Sequence, residues 1–453
     1  MMIALVVVGH MMFEVDLRFI LLVLAVISGI TAYISGVSIK KMFEAYSGTI
    51  KQAFPIILIL IAIGGIVGSW MYSGTVPYLI YYGLKYLNHD FVLVSAFLVT
   101  AMVSTFTGTS WGSAATAGVA FMGIGASMGI PLPMVAGAAL SGAFFGDKIS
   151  PVSDTTNLAA LSSDITVYKH IRGMFPNVLI SGFIAAIGFV LIGVLYAGGS
   201  PETTDITLII NNIESIYNLN IFMLLPAAVV FIGGYKGYHP VLLMVSSSLL
   251  AVLIGALSNG FALSDGAQSM ISGFNLEMIN RPGVELTQIP EILKELLDER
   301  GGFEGMMTGA VLYCILAIAF GSFMEVSGAF DKLMKLLLSI VRTAFGLIVS
   351  AFIAGGLLNG ISGNGAFSII TTGQLFKPHF KNRKIPLPVL ARSMENSMTL
   401  LESLLPWHVT AIYMAATLGV AAVDYIPFAF FNIIGIILFF ILSWIGVKRS
   451  WKR

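Results

Sequence analysis

The chain has 453 residues, 57% of them hydrophobic and only 10% charged, where an ordinary water-soluble globule is roughly 25% charged. With a mean hydropathy of +0.92, this excludes a soluble globular fold and reads as an all-α polytopic membrane protein. The net charge of +1, from 24 basic and 23 acidic residues, leaves no excess to attract nucleic acid. Cys314 stands alone, which excludes an internal disulfide framework.

In chain order, the opening MMIALVVVGHMMFEVD lacks a basic n-region and its apolar run is too short to span, so no cleaved signal peptide is expected. Stretches near the ~20 residues that cross a bilayer occur at about 19–37, 55–72, 91–107, 176–196, 220–235, 239–258, 305–323, 344–361 and 426–447. Shorter pieces rich in Gly or broken by Pro, at 75–87, 110–128, 133–160, 327–340, 364–376 and 387–420, suit half-helices, re-entrant hairpins or interfacial helices. The segments 199–218 and 264–304, the latter with the acidic PEILKELLDER, read as extramembranous.

An internal repeat organises the chain. IPLP at Ile130 to Pro133 recurs at Ile385 to Pro388, and the same offset of 255 places Gly108 on Gly363, Asp147 on Glu402 and Pro151 on Pro406 without a gap. GSWMYSG from Gly68 recurs as GSFMEVSG from Gly321. The expected division is an N-terminal segment with a first helix (1–49), repeat one (50–198), linking helices (199–302), repeat two (303–447) and a basic tail (448–453). Lys377, Lys381, Arg383 and Lys384 lie in 376–385, whereas the matching 121–130 has no Lys or Arg. By the positive-inside rule these stretches face opposite sides, so the repeats are read as inverted. The loop of Lys40, Lys41 and Lys51 and the KRSWKR tail read as cytoplasmic.

Ionisable groups within apolar segments usually mark a route for ions or protons, and Asp147, Lys148 and Asp154 fall in one such stretch, PLPMVAGAALSGAFFGDKISPVSDTTN. Pro151 has no N–H for the Asp147 carbonyl, so a helix break is expected there with that carbonyl free. Asp147 is the first choice for ion or proton binding, with Asp154 a second sodium ligand and Lys148 free either to pair with Asp154 or to snorkel to an interface. In the matching segment Glu395, Asn396, Glu402 and His408 supply comparable groups. Glu395 and Glu402 share a face if their helix is continuous. Thr107, Gly108, Thr109 and Ser110 follow one apolar span, and Ser362, Gly363 and Asn364 follow another. Both runs look like hairpin tips, where glycine lets backbone approach a ligand and hydroxyl or amide oxygens can replace water around a cation. Ser150, Ser153 and Asn157 complete the coordinating or orienting set. The six histidines are scattered singly, and no HExxH pair or GxxxxGK[ST] loop occurs, so zinc hydrolysis and nucleotide binding are not indicated. His408, beside Trp407, is kept as a proton-handling candidate.

The stretch GTSWGSAATAGVAFMGIGASMGIPLPMVAGAALSGAFFGDKISPVSDTTNLAA, from Gly108, resembles the signature region of the NhaC-type sodium/proton antiporter family, and the similarity continues in PVLARSMENSMTLLESLLPWHVTAIYMAATLGVAAVDYIPFAFFN. The resemblance implies an ion-transporter fold of two inverted-topology repeats with re-entrant hairpins and broken helices. The family also includes malate-sodium/lactate and amino-acid carriers. Asn364 and Asn396 stand where the family pattern carries acids, and Glu402 where it carries a small hydroxyl residue, so negative charge is redistributed in this chain. The expected function is secondary active antiport of Na+ for H+ across the cytoplasmic membrane by alternating access, without a cofactor and without enzymatic activity. The alternative is a sodium- or proton-coupled carrier of an amino acid or small organic anion. A membrane enzyme or scaffold subunit is the least supported class. Partners are Na+, H+, the lipid bilayer and, in the alternative, an organic solute; nucleic acid is not a partner, and a homo-oligomer is left open.

Overall fold

A backbone that crosses hydrocarbon has no water to bond, so its N–H and C=O groups must pair within the segment, which favours helices. The computed structural model describes residues 15–196, 203–236, 238–279, 294, 301–339 and 341–450, and it is helical throughout its apolar stretches. The helices are α1 (Leu17–Ile34), α2 (Ile39–Ser73), α3 (Thr75–Tyr86), α4 (Val92–Thr107), α5 (Ser110–Ser113), α6 (Val119–Ser127), α7 (Leu132–Ile149), α8 (Asp154–Ser162) and α9 (Val167–Tyr196). They continue as α10 (Thr203–Ile216), α11 (Leu225–Tyr235), α12 (Pro240–Asn259), α13 (Leu263–Ile271), α14 (Phe303–Met306), α15 (Leu312–Val326) and α16 (Ala329–Ser339). The last are α17 (Ala344–Ser362), α18 (Gly365–Asn382), α19 (Leu387–Glu395), α20 (Val409–Leu418), α21 (Ala422–Tyr425) and α22 (Phe430–Ser450). A π turn at Ala114–Gly118 joins α5 to α6, and another at Met307–Val311 joins α14 to α15.

Among the described residues seven helices are long and apolar enough to cross a membrane: Ala53–Ser73, His89–Thr107, Val167–Leu195, Pro240–Asn259, Phe303–Val326, Ala344–Ser362 and Phe430–Val447. Their outward faces are apolar, with Leu257 85% and Phe183 69% exposed, as suits lipid rather than water. The protein is therefore a polytopic membrane protein. Two expected spans differ in detail. The stretch 220–235 does not stand alone, since Thr207–Ile216 and Ile221–Gly234 form a pair bent by 96°. The start of 426–447 likewise belongs to a bend of 88° between Val409–Leu418 and Ala422–Phe428. The stretch 199–218, read as extramembranous, contains α10, which buries Ile209, Ile213 and Ile216. Of PEILKELLDER, only Lys294 lies within the described residues.

Local backbone features recur 255 residues apart. Left-handed conformations fall at Gly108 and Gly363, at Gly129 and Lys384, and at Asp164 and Gly419. Thr109 and Asn364 each cap the helix after the first of these turns, and Ser153 and His408 each cap the helix after a later break. Even a cross-helix bond is repeated: Ser104 Oγ donates to the Ala143 carbonyl, and Asn359 Nδ2 donates to the Met398 carbonyl at 2.8 Å.

The α4–α7 contact holds the first of these units together and works by omission of side chains. A Cβ on Gly142 would lie 2.1 Å from the Phe97 carbonyl oxygen, and one on Gly146 would lie 2.3 Å from that of Ala101. Close backbone approach through small residues is the usual basis of helix association in lipid. We expect Gly142→Ala and Gly146→Ala each to destabilise the protein by at least the ~1–3 kcal/mol of ordinary overpacking, because the obstacle is backbone. Gly305→Ala, on an α14 site with nothing within 4 Å, should be neutral or stabilising by a few tenths of a kcal/mol to about 1. Thermal melting in detergent, followed by size-exclusion chromatography, measures the contrast; equal melting of all three variants would refute it.

Candidate functional site

The break between α7 and α8 forms because Ser150 leaves the helix with an extended backbone and Ser153 starts the next one. Pro151 does not leave the Asp147 carbonyl free as expected, since that oxygen accepts from the Ser150 N–H at 3.4 Å and from Thr156 Oγ1 at 3.3 Å. The two hairpin tips close beside the breaks. A Cβ on Gly108 would lie 2.8 Å from the Val152 carbonyl carbon, so this left-handed tip is pressed against the first break.

Between tips and breaks lies a cavity of about 660 Å³. Thr107, Gly108, Thr109, Ser110, Asp147, Ser153 and Asp154 line it from the first unit, and Gly363, Asn364, Glu402 and His408 line it from the second. Four helix starts meet there. Thr109 Oγ1 accepts from Gly112 N–H, Ser153 Oγ from Thr156 N–H, Asn364 Oδ1 from Phe367 N–H at 3.0 Å, and His408 Nδ1 from Thr410 N–H at 3.1 Å. Asp147 and Glu402 are withdrawn, at 6% and 9% exposure. Asp154 is exposed and opens α8, where a carboxylate also complements the helix dipole. The lining includes these three carboxylates and, among the described residues, no Lys or Arg. Trp111, which lines the cavity, stacks on Tyr413 at 4.0 Å and so joins the two halves of the chain.

The remaining candidates lie outside this cavity. Ser150 is fully buried at the break, with its hydroxyl unpaired. Asn157 is exposed and ties α8 back through Nδ2 to the carbonyls of Pro151 and Ser153. Ser362 accepts from the Asn364 N–H behind the second tip. Asn396 accepts from Asn177 Nδ2 at 3.1 Å. Glu395 also faces away from the cavity. A π turn at Asn396–Leu400 follows α19, and its extra residue breaks the α-helical spacing that would have put Glu395 on the Glu402 face.

Glu395 instead meets Lys148, which therefore neither pairs with Asp154 nor reaches an interface. Lys148 Nζ lies 3.8 Å from Glu395 Oε1, donates to the Glu395 carbonyl at 3.0 Å and to Thr399 Oγ1, and is fully buried, as is Glu395. His170 Nε2 lies 3.7 Å from Glu395 Oε2, and no residue pattern marks this histidine out. His408 is held differently from a free proton carrier. Its Nδ1 accepts a backbone N–H, and Nε2 lies 3.2 Å from Asn359 Oδ1, an arrangement that fits a neutral ring with its proton on Nε2.

A carboxylate-lined cavity between broken helices of a polytopic protein defines an ion-handling membrane protein. The model of the Na+/H+ antiporter family matches residues 1–156 and 142–447. The chain belongs to that family. It is 34% identical over 447 residues to a protein of Haemophilus influenzae described as an uncharacterized Na+/H+ antiporter, covering 98% of this chain and 94% of the relative. It is 32% identical to the malate-2H+/Na+-lactate antiporter of Bacillus subtilis, covering 92% and 86%, and 32% identical to the Na+/H+ antiporter NhaC of that organism, covering 86% and 84%.

Removing one member of a buried ion pair strands the other. Lys148→Ala should therefore cost about 3–5 kcal/mol, whereas Lys148→Met combined with Glu395→Gln should recover most of it. Denaturation in detergent tests this, and a double variant no more stable than the single one would refute it.

Proposed function

We propose that the chain is a secondary active antiporter that exchanges Na+ for H+ across the cytoplasmic membrane, with Asp147 and Glu402 as the groups where the two cations compete. The observation that carries this is the cavity lining, which has Asp147, Asp154 and Glu402 but no Lys or Arg among the described residues. A carboxylate withdrawn from water is costly when bare and is stabilised by either a proton or a metal cation. One site that accepts either but not both, opened alternately to each side, converts competition into exchange. Hydroxyl and carbonyl oxygens at Thr107, Thr109, Ser110 and Ser153 are hard donors suited to Na+. Asp154, being exposed, would attract cations to the mouth.

Residues 50–198 and 303–447 are taken as inverted-topology repeats, each with a re-entrant hairpin and a broken helix. The 255-residue recurrence of caps and left-handed turns and the unequal charge of 121–130 and 376–385 support that reading. Pro131 and Asn382 are both exposed. A cysteine replacing Pro131 should react with an impermeant reagent only from outside, and one replacing Asn382 only from the cytoplasm. Labelling of both from one side would sink the inversion.

A second reading is favoured by the cavity itself, because about 660 Å³ is far larger than one dehydrated ion and falls within the ~300–1,000 Å³ of small-molecule pockets. An organic anion could place its carboxylate at the converging helix starts. Flux in proteoliposomes separates the readings: Na+-driven proton movement without added solute supports simple exchange, whereas strict dependence on an organic solute supports the carrier. Asp147→Asn keeps the size of the side chain but cannot titrate. It should abolish Na+-driven proton flux in protein that still folds, and normal flux with an unchanged pH profile would exclude Asp147 as the shared site.

A further inference from the structure

A smaller cavity of about 140 Å³ lies behind the second hairpin tip, between α2, α15 and the α17–α18 turn. It shares Thr49 and Asn364 with the large cavity, so the two adjoin. Its polar lining is built from oxygen donors that bind hard cations. Ser322 is 2% exposed, and its hydroxyl has no hydrogen-bond partner. One helical turn on, Glu325 stands exposed at the edge and forms no ion pair among the described residues. Thr49 Oγ1 donates to the Ala45 carbonyl at 3.1 Å, which leaves its lone pairs available, and Ser362 Oγ lies on the same wall. Among the described residues no Lys, Arg or His lines the space.

The matching position in the first unit shows that this is not a by-product of the repeat. Ser69, the counterpart of Ser322, donates to the Ile66 carbonyl at 3.2 Å, and Tyr72, the counterpart of Glu325, donates to the Ala262 carbonyl at 2.8 Å. Only the second unit has an acid and an unpaired hydroxyl here. Close packing also specifies the wall, since a Cβ on Gly321 would lie 2.7 Å from the Ile361 carbonyl oxygen.

From this geometry we infer that Glu325 and Ser322 form a second alkali-cation site, an entry station from which Na+ passes Asn364 and Thr49 into the large cavity. One carboxylate with neutral oxygens suits a monovalent ion, whereas Ca2+ sites normally draw on several carboxylates and 6–8 oxygen ligands. At roughly 30 Å³ per water in the liquid, the space of about 140 Å³ has room for an ion with a few waters. The inference rests on Na+ being the cargo.

Equilibrium binding of radioactive Na+ to the purified full chain tests it. The wild type should bind two ions per chain. Glu325→Gln and Ser322→Ala should each bind one and retain the large-cavity ion, while Asp147→Asn should keep the ion at Glu325. Glu325 is exposed and Ser322→Ala adds no volume, so folding should survive both changes; a melting curve checks it. One ion per wild-type chain, or two ions bound with unchanged affinity in both Glu325→Gln and Ser322→Ala, would overturn the second site. No Na+ bound by the wild type would overturn the transport reading instead.

Discussion

Every interruption of a helix in an apolar surrounding exposes backbone groups that must find partners, and the centre of this protein is arranged around that constraint. The chain interrupts its helices at two tips and two breaks, and it meets each new helix start with a side-chain acceptor from Thr109, Ser153, Asn364 or His408. All four caps line one cavity. The residues that repair the backbone are thus also the polar wall of the site, and the same glycines that permit the turns let that wall close to contact distance.

Charge is sorted between two compartments a few residues apart. Asp147 and Glu402 face the cavity, while the neighbouring Lys148 turns to Glu395 and Thr399 on the opposite side. This separation keeps the fixed positive charge out of the cation's space. It also places a fully buried pair between the two broken helices, where Lys148 donates to the backbone carbonyl of Glu395 and His170 Nε2 lies 3.7 Å from Glu395 Oε2.

Much of the site was legible because its signals are local. Glycines, prolines and hydroxyl residues at a constant offset marked tips and breaks, and Asp147 and Glu402 stood out as acids in apolar runs. What was not legible depends on backbone register or on distant contacts. The π turn at Asn396–Leu400 separates Glu395 from Glu402, and no residue pattern signalled it. The Lys148 partner lies 247 residues away, and His170 is one of six isolated histidines. Asn359 could have been found by following the repeat, since it sits 255 residues after Ser104 and makes the equivalent bond.

The Lys148–Glu395 pair also limits how the molecule can move. It joins α7 to α19 across the two units with both side chains fully buried, so pulling these helices apart without admitting solvent would leave two bare ions at a cost of several kcal/mol each. Asn177 on α9 adds a further tie to Asn396, and Phe431 N–H on α22 bonds Ser141 Oγ of α7. The crossed elements are thereby pinned into one mechanical block. A motion that keeps these ties intact moves α7, α9, α19 and α22 together.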